Sequence, residues 1–201
     1  GGDGNDILKS GSGDDYVYGD DGDDTIIQDG SGTQFYDGGE GEDTYVIDLE
    51  NGEWPFEFAD DFILEVNLVT AFSGVHLDHN HPLNDTVVNM ENITLLGNFN
   101  SVMTGDSFNN VIKTDDGNDL INAGGGNDYI ISGKGYDTIS TGTGFDLVHI
   151  HKNHATHSLE ITDKITDFEL GQDKIKLEEI ALSEISITQG IGEYSNDAIL
   201  S

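Results

Sequence analysis

The sequence contains no cysteine, no arginine and no apolar run long enough to span a bilayer. Without cysteine the chain can form neither a disulfide nor a thiolate metal site, and it has no cysteine nucleophile. Seven lysines face 40 Asp and Glu residues, which gives a formal net charge of −33. Nucleic acids and anionic lipids are bound through clustered Lys and Arg, so the composition argues against both as partners.

Two common hydrolase motifs are also missing. The sequence has neither the HExxH pattern of zinc proteases nor the GxSxG elbow of serine hydrolases. Acidic pairs occur throughout, so no single pair can be assigned to glycoside hydrolysis. We therefore expect no enzymatic activity from this chain, although the parent protein could still be a secreted hydrolase or epimerase.

The histidines fall into two clusters, which comprise His76, His79 and His81, and His149, His151, His154 and His157. His149 and His151 lie two residues apart on a predicted strand, so they would share a face and could chelate a transition metal. Exposed loop and edge-strand histidines are the simpler interpretation of both clusters.

The feature that organises the chain is a nine-residue repeat, which runs five times without a break over residues 105–149. Position four is mainly glycine, at Gly117, Gly126, Gly135 and Gly144. Position six reads Asn110, Asp119, Asp128, Asp137 and Asp146. Position eight is aliphatic throughout, at Ile112, Ile121, Ile130, Ile139 and Val148. A repeat at fixed period decides the fold before any local pattern does.

One repeat unit predicts a turn followed by a very short strand. Positions one to six are glycine and small polar residues, which suit a tight turn, and positions seven to nine favour β structure. Stacking such units at the strand spacing of about 4.8 Å would align the position-eight side chains into a narrow core. The same stacking brings position-six carboxylates together, where they repel unless a cation lies between them. Carboxylates and turn carbonyls form an all-oxygen site that suits Ca2+.

A first repeat block covers residues 1–46, with a degraded unit at residues 28–36. The predicted core column here is Leu8, Val17, Ile26, Phe35 and Tyr45. In this alignment Thr33 takes the place of an aspartate, and Asp37 is a one-residue insertion.

The units resemble the RTX (repeats-in-toxin) nonapeptide GGxGxDxUx, most fully at GGDGNDILK (1–9) and GGGNDYII (124–131). The resemblance implies an all-β, right-handed parallel β-roll solenoid with two nonapeptides per coil. It also implies several calcium ions, each between a turn and the turn two units later. The lower turn would supply the carbonyls of positions two and four and its aspartate. The upper turn would supply the carbonyls of positions one and three and its own aspartate.

Applied to this chain, the resemblance predicts four sites. In the first block Gly2, Gly4 and Asp6 would lie below Gly19, Asp21 and Asp24, and Asp20, Gly22 and Asp24 below Gly38, Glu40 and Asp43. In the second block Asp115, Gly117 and Asp119 would lie below Ser132, Lys134 and Asp137, and Gly124, Gly126 and Asp128 below Thr141, Thr143 and Asp146. Asp15 is a further candidate ligand. Sites that need Thr33, Ser101 or Asn110 have lost a carboxylate and are expected to be weaker or empty.

Four segments are expected: repeat blocks at 1–46 and 105–149, a non-repeat spacer at 47–104 that continues the coil without good calcium ligands, and a C-terminal β cap at 150–201. Within the spacer, residues 63–68 alternate like a half-buried strand, and residues 96–104 resemble one turn with Met103 in the core and Ser101 in place of Asp. Residues 161–177 resemble the segment that closes many RTX domains. The chain opens within a repeat, so we expect a fragment whose cap is truncated.

The resemblance further implies a secreted or cell-surface protein of a Gram-negative bacterium. Its parent would leave the cell unfolded through the type I secretion machinery and fold in extracellular calcium. The alternative function is an adhesin or polysaccharide-binding module in which Trp54, Phe56, Phe58 and Phe72 contact a glycan or protein ligand; the same residues could instead be core.

Overall fold

The computed structural model describes residues 1–52, 63–69, 72–75, 84–151, 163–178, 187–189 and 198–200. Every regular element in these ranges is a β-strand, and the ranges contain no helix that is long and apolar enough to cross a membrane. The strands form a sheet of ten, a sheet of eight and a separate pair. The separate pair consists of β19 (Ile187–Gln189) and β20 (Ala198–Leu200), which are antiparallel.

The two large sheets divide the strands almost alternately along the chain. The ten-stranded sheet contains β1 (Gly2–Asp3), β3 (Tyr16–Asp21), β5 (Phe35–Glu40), β7 (Ile63–Asn67), β8 (Phe72–Val75), β9 (Asn84–Val88), β11 (Asn100–Thr104), β13 (Leu120–Asn122), β15 (Thr138–Ser140) and β17 (Lys164–Ile165). The eight-stranded sheet contains β2 (Ile7–Lys9), β4 (Thr25–Gln28), β6 (Thr44–Asp48), β10 (Asn92–Leu96), β12 (Val111–Lys113), β14 (Tyr129–Ile131), β16 (Leu147–His151) and β18 (Lys174–Glu178).

Two repeat units make one coil of the roll. In the second block each strand pairs in parallel with the strand one coil later, so that Val111 lies opposite Tyr129 and Leu120 opposite Thr138. These partners are 18 residues apart, which is two nonapeptides. The parallel β-roll predicted from the repeat is therefore confirmed.

The core lies between the sheets and is built from position eight of each unit. Ile26, Ile112, Ile121, Ile130, Ile139 and Val148 are all fully buried, and Met103 joins them from residues 96–104, as predicted. Neighbouring side chains point outward, and Leu120 beside Ile121 is 49% exposed. Burying one aliphatic side chain of this size contributes about 1.5–3 kcal/mol, so this column provides much of the apolar stabilisation.

The structure corrects the predicted register of residues 28–37. Tyr36, not Phe35, occupies the core position, where its ring lies 5.2 Å from that of Tyr45. Phe35 instead lies near the Tyr16 and Tyr18 rings on the outer face, with centroids 6.0 and 5.8 Å away. Asp37 is not an insertion, because it pairs with Tyr18 inside β5.

The extra residue lies at the start of this unit, where the coil spacing changes. The Gly11 N–H donates to the Asp29 side chain 18 residues later, which is the regular coil length. The Phe35 N–H donates to the Asp15 carbonyl across 20 residues, one more than the 19 that the equivalent bond from Thr25 to Asp6 spans. Gln34 therefore takes position six, and the prediction that Thr33 does so was wrong.

Between the two blocks the ten-stranded sheet contains additional strands. β9 pairs in parallel with β5, and β7 pairs in parallel with β11, but β8 lies between β7 and β9 and is antiparallel to both. In the other sheet β6 pairs directly with β10. The half-buried strand predicted at residues 63–68 is β7, whose Leu64 and Val66 are buried.

After the last repeat, residues 163–178 extend both sheets by one strand each. β17 pairs with β15, with Lys164 opposite Thr138, and β18 pairs with β16, with Lys174 opposite Leu147. Asp167 binds this segment to the last turn, because its carboxylate accepts hydrogen bonds from the N–H groups of Thr141 and Gly142 at 2.8 and 3.0 Å.

Candidate metal centre

Position-six side chains of successive coils stack into two columns at the ends of the turns. Column one runs before the strands of the eight-stranded sheet and contains Asp6, Asp24, Asp43, Glu91, Asn110, Asp128, Asp146 and Asp173. Column two lies at the starts of strands of the ten-stranded sheet, in two parts separated by β8 and β7: Asp15, Gln34 and Asp85, then Ser101, Asp119, Asp137 and Asp163. Both columns are mainly carboxylates, although the coils they join come from distant parts of the chain.

One hydrogen bond fixes the position of each carboxylate over the coil below. The N–H of Asp6 donates to Oδ1 of Asp24 at 2.7 Å, and the N–H of Asp24 donates to Oδ1 of Asp43 at 2.8 Å. In the second block the N–H groups of Asp119 and Asp128 donate to Oδ1 of Asp137 and Asp146, at 3.0 and 2.8 Å. Since each bond repeats from coil to coil, the aspartates have one shared orientation.

The second carboxylate oxygen of these aspartates is buried and accepts no hydrogen bond. This holds for Oδ2 of Asp15, Asp24, Asp43, Asp119, Asp128, Asp137 and Asp146. A buried charged oxygen without a donor costs several kcal/mol, roughly, unless a partner compensates it. These oxygens are the strongest sign that the columns hold cations.

Burial raises the pKa of several column carboxyls. It raises the pKa of Asp128 and of Asp137 to about 7, and repulsion from Asp146 and from Asp163, respectively, adds to the effect. Burial likewise raises the pKa of Asp119 to about 6, despite hydrogen bonds from the N–H and hydroxyl of Ser101 that lower it. The pKa values of Asp43 and Asp146 are also raised, mainly by burial. A bound cation would oppose all of these shifts.

Glycine in the upper turn allows backbone oxygens to approach the carboxylates. A Cβ at Gly133 or Gly135 would overlap the carbonyl oxygens of Asp115 and Gly117 in the coil below. Both glycines also have positive φ values, of 75° and 145°, which side chains disfavour. The turns therefore stack closely only with glycine here. A Cβ at Gly19 would overlap both the Gly38 carbonyl oxygen and Oδ2 of Asp24, so carbonyl and carboxylate oxygens lie close together. Ca2+ binds about six to eight such oxygens.

The structure brings together both predicted sets of the first block. Gly2 and Asp3 pair with Asp20 and Asp21, and the Gly4 N–H donates to the Asp21 carbonyl at 2.6 Å. One coil higher, the Gly22 N–H donates to the Glu40 carbonyl at 2.8 Å. The extra residue of this coil lies near residue 29, so the turn at 38–43 repeats the geometry of its neighbours.

Both predicted sets of the second block are also adjacent. The Gly117 N–H donates to the Lys134 carbonyl at 2.8 Å, and the Gly126 N–H donates to the Thr143 carbonyl at 2.9 Å. Lys134 does not approach the column, since its ammonium pairs with Asp116 at 3.0 Å on the surface. Ser132 and Thr141 of the upper turns are fully buried.

Three positions in the columns carry a hydrogen-bond donor instead of a carboxylate. The Asn110 side-chain amide donates to the Glu91 carbonyl at 2.7 Å, and the Gln34 amide donates to the Gly13 carbonyl at 2.9 Å. The Ser101 hydroxyl donates to Oδ1 of Asp119 at 2.8 Å. At Asn110 and Gln34 an N–H group satisfies the carbonyl oxygen directly. That sites at Ser101 and Asn110 bind calcium weakly or not at all stays a prediction, and Gln34 takes the place that the prediction gave to Thr33.

Sequence reasoning missed four carboxylates outside the repeats that continue the columns: Asp85, Glu91, Asp163 and Asp173. Each accepts a hydrogen bond from the N–H of the position-six residue one coil below, at 2.7–3.3 Å. A local signal exists, because an acid followed two residues later by Val or Ile reproduces positions six to eight. The glycines that identify a repeat unit are absent from these segments, so the signal is short.

Side-chain clusters of other kinds contribute little in the described ranges. Those ranges contain no group of three or more His, Asp or Glu side chains that could hold a metal ion, so a site must use backbone oxygens. The interpretation of His149 as an exposed histidine was wrong, because it is buried, with Nδ1 3.4 Å from the Tyr129 hydroxyl and the rings stacked at 6.4 Å. The other histidine and aromatic candidates lie outside the described side chains, namely His76, His79, His81, His151, His154, His157, Trp54, Phe56, Phe58 and Phe72.

Comparison with protein families identifies the repeat. A family model described as the RTX calcium-binding nonapeptide repeat matches residues 1–30 and 104–139, in four copies. The matched ranges contain Asp6, Asp15 and Asp24 of the first block and Asp119, Asp128 and Asp137 of the second. A comparison with curated proteins gave no match.

Proposed function

We propose, on the premise that the chain carries RTX calcium-binding nonapeptide repeats, that calcium binding to the two columns drives this region to fold outside the cell. The observation that carries the proposal is the series of buried Oδ2 atoms that accept no hydrogen bond. Asp24, Asp43, Asp119, Asp128, Asp137 and Asp146, together with turn carbonyls, would hold the ions. Bound calcium supplies the positive charge that lets these oxygens lie close together.

Charge explains why folding would depend on the ion. The chain has a net charge of −33, and a compact state of that charge repels itself. Ions that bind only the folded coils stabilise them in proportion to the logarithm of the ion concentration. Extracellular calcium modules bind at roughly 10^-4 to 10^-3 M, so the bare chain would stay unfolded at cytosolic calcium levels.

This dependence suits export of an unfolded chain. The proposal places the parent protein at the surface or outside of a Gram-negative bacterium, exported by type I secretion machinery. The proposal gives the described coils a structural and cation-binding role rather than a catalytic one. Their paired carboxylates are buried between turns, where a substrate has no access. An adhesin activity of residues 47–104 remains an alternative for the non-repeat part.

A calcium titration followed by far-UV circular dichroism tests the proposal. We expect β signal to increase with Ca2+, to reverse on addition of a chelator, and to change little with Mg2+, which holds its water more tightly and demands octahedral geometry. A chain whose β signal is complete in chelator and unchanged by Ca2+ would contradict calcium-driven folding. Bound calcium should be counted in parallel by equilibrium dialysis.

A further inference from the structure

We infer that each repeat block ends in cation sites whose upper carboxylate comes from a non-repeat segment. Glu91 would complete a site above Asp43, and Asp163 and Asp173 would complete sites above Asp137 and Asp146. The inference rests on the proposed calcium-binding function, but it assigns to the flanking segments a role that the nonapeptide pattern does not give them. Calcium would then attach both flanking segments to the repeats.

The first such site lies where block one meets the spacer. The Asp43 N–H donates to Oε2 of Glu91 at 2.8 Å, which is the bond that joins Asp24 to Asp43 one coil lower. Asp43 is fully buried, and its Oδ2 accepts no hydrogen bond. Gly38 beneath has no space for a Cβ, because the Asn89 carbonyl and Asp43 Oδ2 both lie against it. Carbonyl and carboxylate oxygens therefore meet here as they do between repeats.

The second block shows the same arrangement at its end. The Asp137 N–H donates to Oδ1 of Asp163 at 3.2 Å, and the Asp146 N–H donates to Oδ1 of Asp173 at 3.3 Å. Asp137 and Asp146 are 1% and 2% exposed, and the Oδ2 atom of each accepts no hydrogen bond. Asp137 and Asp146 belong to the last two repeat units, so the upper oxygen ligands of their sites must come from residues 163–178.

The Asp173 carboxylate also has donors within its own segment and in the last turn. Asp173 already accepts hydrogen bonds at Oδ2 from the Glu169 N–H at 2.7 Å and from the Thr141 hydroxyl at 3.3 Å. These bonds fix its side chain but reduce its capacity to bind an ion. Glu91 and Asp163 are therefore the residues on which the inference should be tested.

The test counts the calcium ions bound to the full chain and to E91Q and D163N by equilibrium dialysis at saturating calcium. Each amide keeps an oxygen that accepts the backbone hydrogen bond and removes only the charge, so the coil should remain intact. E42Q is the control, because Glu42 is exposed beside Asp43 and its loss changes the net charge equally. Circular dichroism at saturating calcium checks folding.

We expect E91Q and D163N each to bind one ion fewer than the unmodified chain, the double variant two fewer, and E42Q the full number. If the unmodified chain binds calcium but both variants keep its full number, the inference is wrong while the proposed function stands. If the unmodified chain binds none, both fail. Should E91Q fail to fold, E91D is the fallback variant, because it keeps the charge but withdraws the carboxylate from Asp43 by one methylene. Weaker calcium binding by E91D supports the inference, and an unchanged calcium titration contradicts it.

Discussion

At position six, replacing a carboxylate by an amide changes one oxygen into an NH2 group. A possible ion ligand thereby becomes a hydrogen-bond donor. Asn110 shows the result most clearly, since its amide contacts the Glu91 carbonyl at 2.7 Å and its oxygen accepts the Asp106 N–H at 2.9 Å. Asp128 lies directly above, with a buried Oδ2 that accepts no hydrogen bond. The coil at Asn110 is thus held without an ion, whereas its neighbours require one.

Asn110→Asp should therefore create a calcium site. At the lowest calcium concentration that keeps the unmodified chain folded, the variant should be less stable by about 1–3 kcal/mol, because the Glu91 carbonyl loses its donor and a charge is added to column one. At saturating calcium it should bind one ion more and recover that stability. Urea denaturation at this threshold and at saturating calcium measures the stability difference, and equilibrium dialysis counts the bound ions.

N109D is the matched control for this substitution. Asn109 is exposed, and its Oδ1 accepts the Asn127 N–H at 2.7 Å, a bond that Asp preserves. The control should bind the same number of ions as the unmodified chain. If N110D and N109D gave equal ion counts, position six would not control binding at this coil.

At the scale of the strand, the core is set by which residue takes position eight. Tyr36 is fully buried against Tyr45, whereas Phe35 lies on the outer face beside Tyr16 and Tyr18. Both residues are aromatic and both favour a strand, so composition does not distinguish them. Only the pairing of β5 with β3 does.

Substitution of the two aromatics should give unequal losses of stability. Tyr36→Ala leaves a cavity in the core and should cost about 3–5 kcal/mol of unfolding free energy, by analogy with other large aromatic deletions. Phe35→Ala removes partly exposed contacts and should cost clearly less. Chemical denaturation in saturating calcium compares them. A larger loss of unfolding free energy for F35A than for Y36A would instead support the register in which Phe35 is the core residue.

These cases show what the sequence could and could not predict. The second block was predictable residue by residue, because five uninterrupted units repeat glycine, aspartate and aliphatic positions together. The ten-residue unit at 28–37 was not, since one extra residue can be placed at either end and the local pattern fits both. The acids Asp85, Glu91, Asp163 and Asp173 were missed because their position depends on strand pairing between segments without turn glycines.

At the scale of the molecule, burial of the columns makes stability depend on pH. The pKa values of Asp128 and Asp137 are raised to about 7 in the fold, above the ordinary value of 3.8. A group with a raised pKa binds its proton more tightly when folded. Its contribution is fully present below the unfolded pKa and is lost as pH rises through the folded pKa.

In chelator, acidification from pH 8 to pH 5 should therefore favour the folded roll, and alkaline pH should oppose it. Calcium binding should show the opposite trend, because protons compete for the same oxygens as pH falls through about 7. Circular dichroism in chelator and calcium titrations at several pH values measure both. Calcium affinity that does not change between pH 8 and pH 5 would mean that the raised carboxyls are not ligands.

The stacking of column one has a consequence for how the ions fill it. In an interior aspartate such as Asp128, Oδ1 faces the coil below and Oδ2 accepts no hydrogen bond. The same aspartate would therefore be the upper ligand of one ion and the lower ligand of the next, so adjacent ions would share a residue. Occupancy of one gap then orients a ligand of the next, and binding becomes cooperative between nearest neighbours, as in a one-dimensional lattice. Asn110 interrupts the column, so cooperativity should extend separately over Asp6–Glu91 and Asp128–Asp173. The steepness of the calcium response is thus encoded in the length of uninterrupted carboxylate runs.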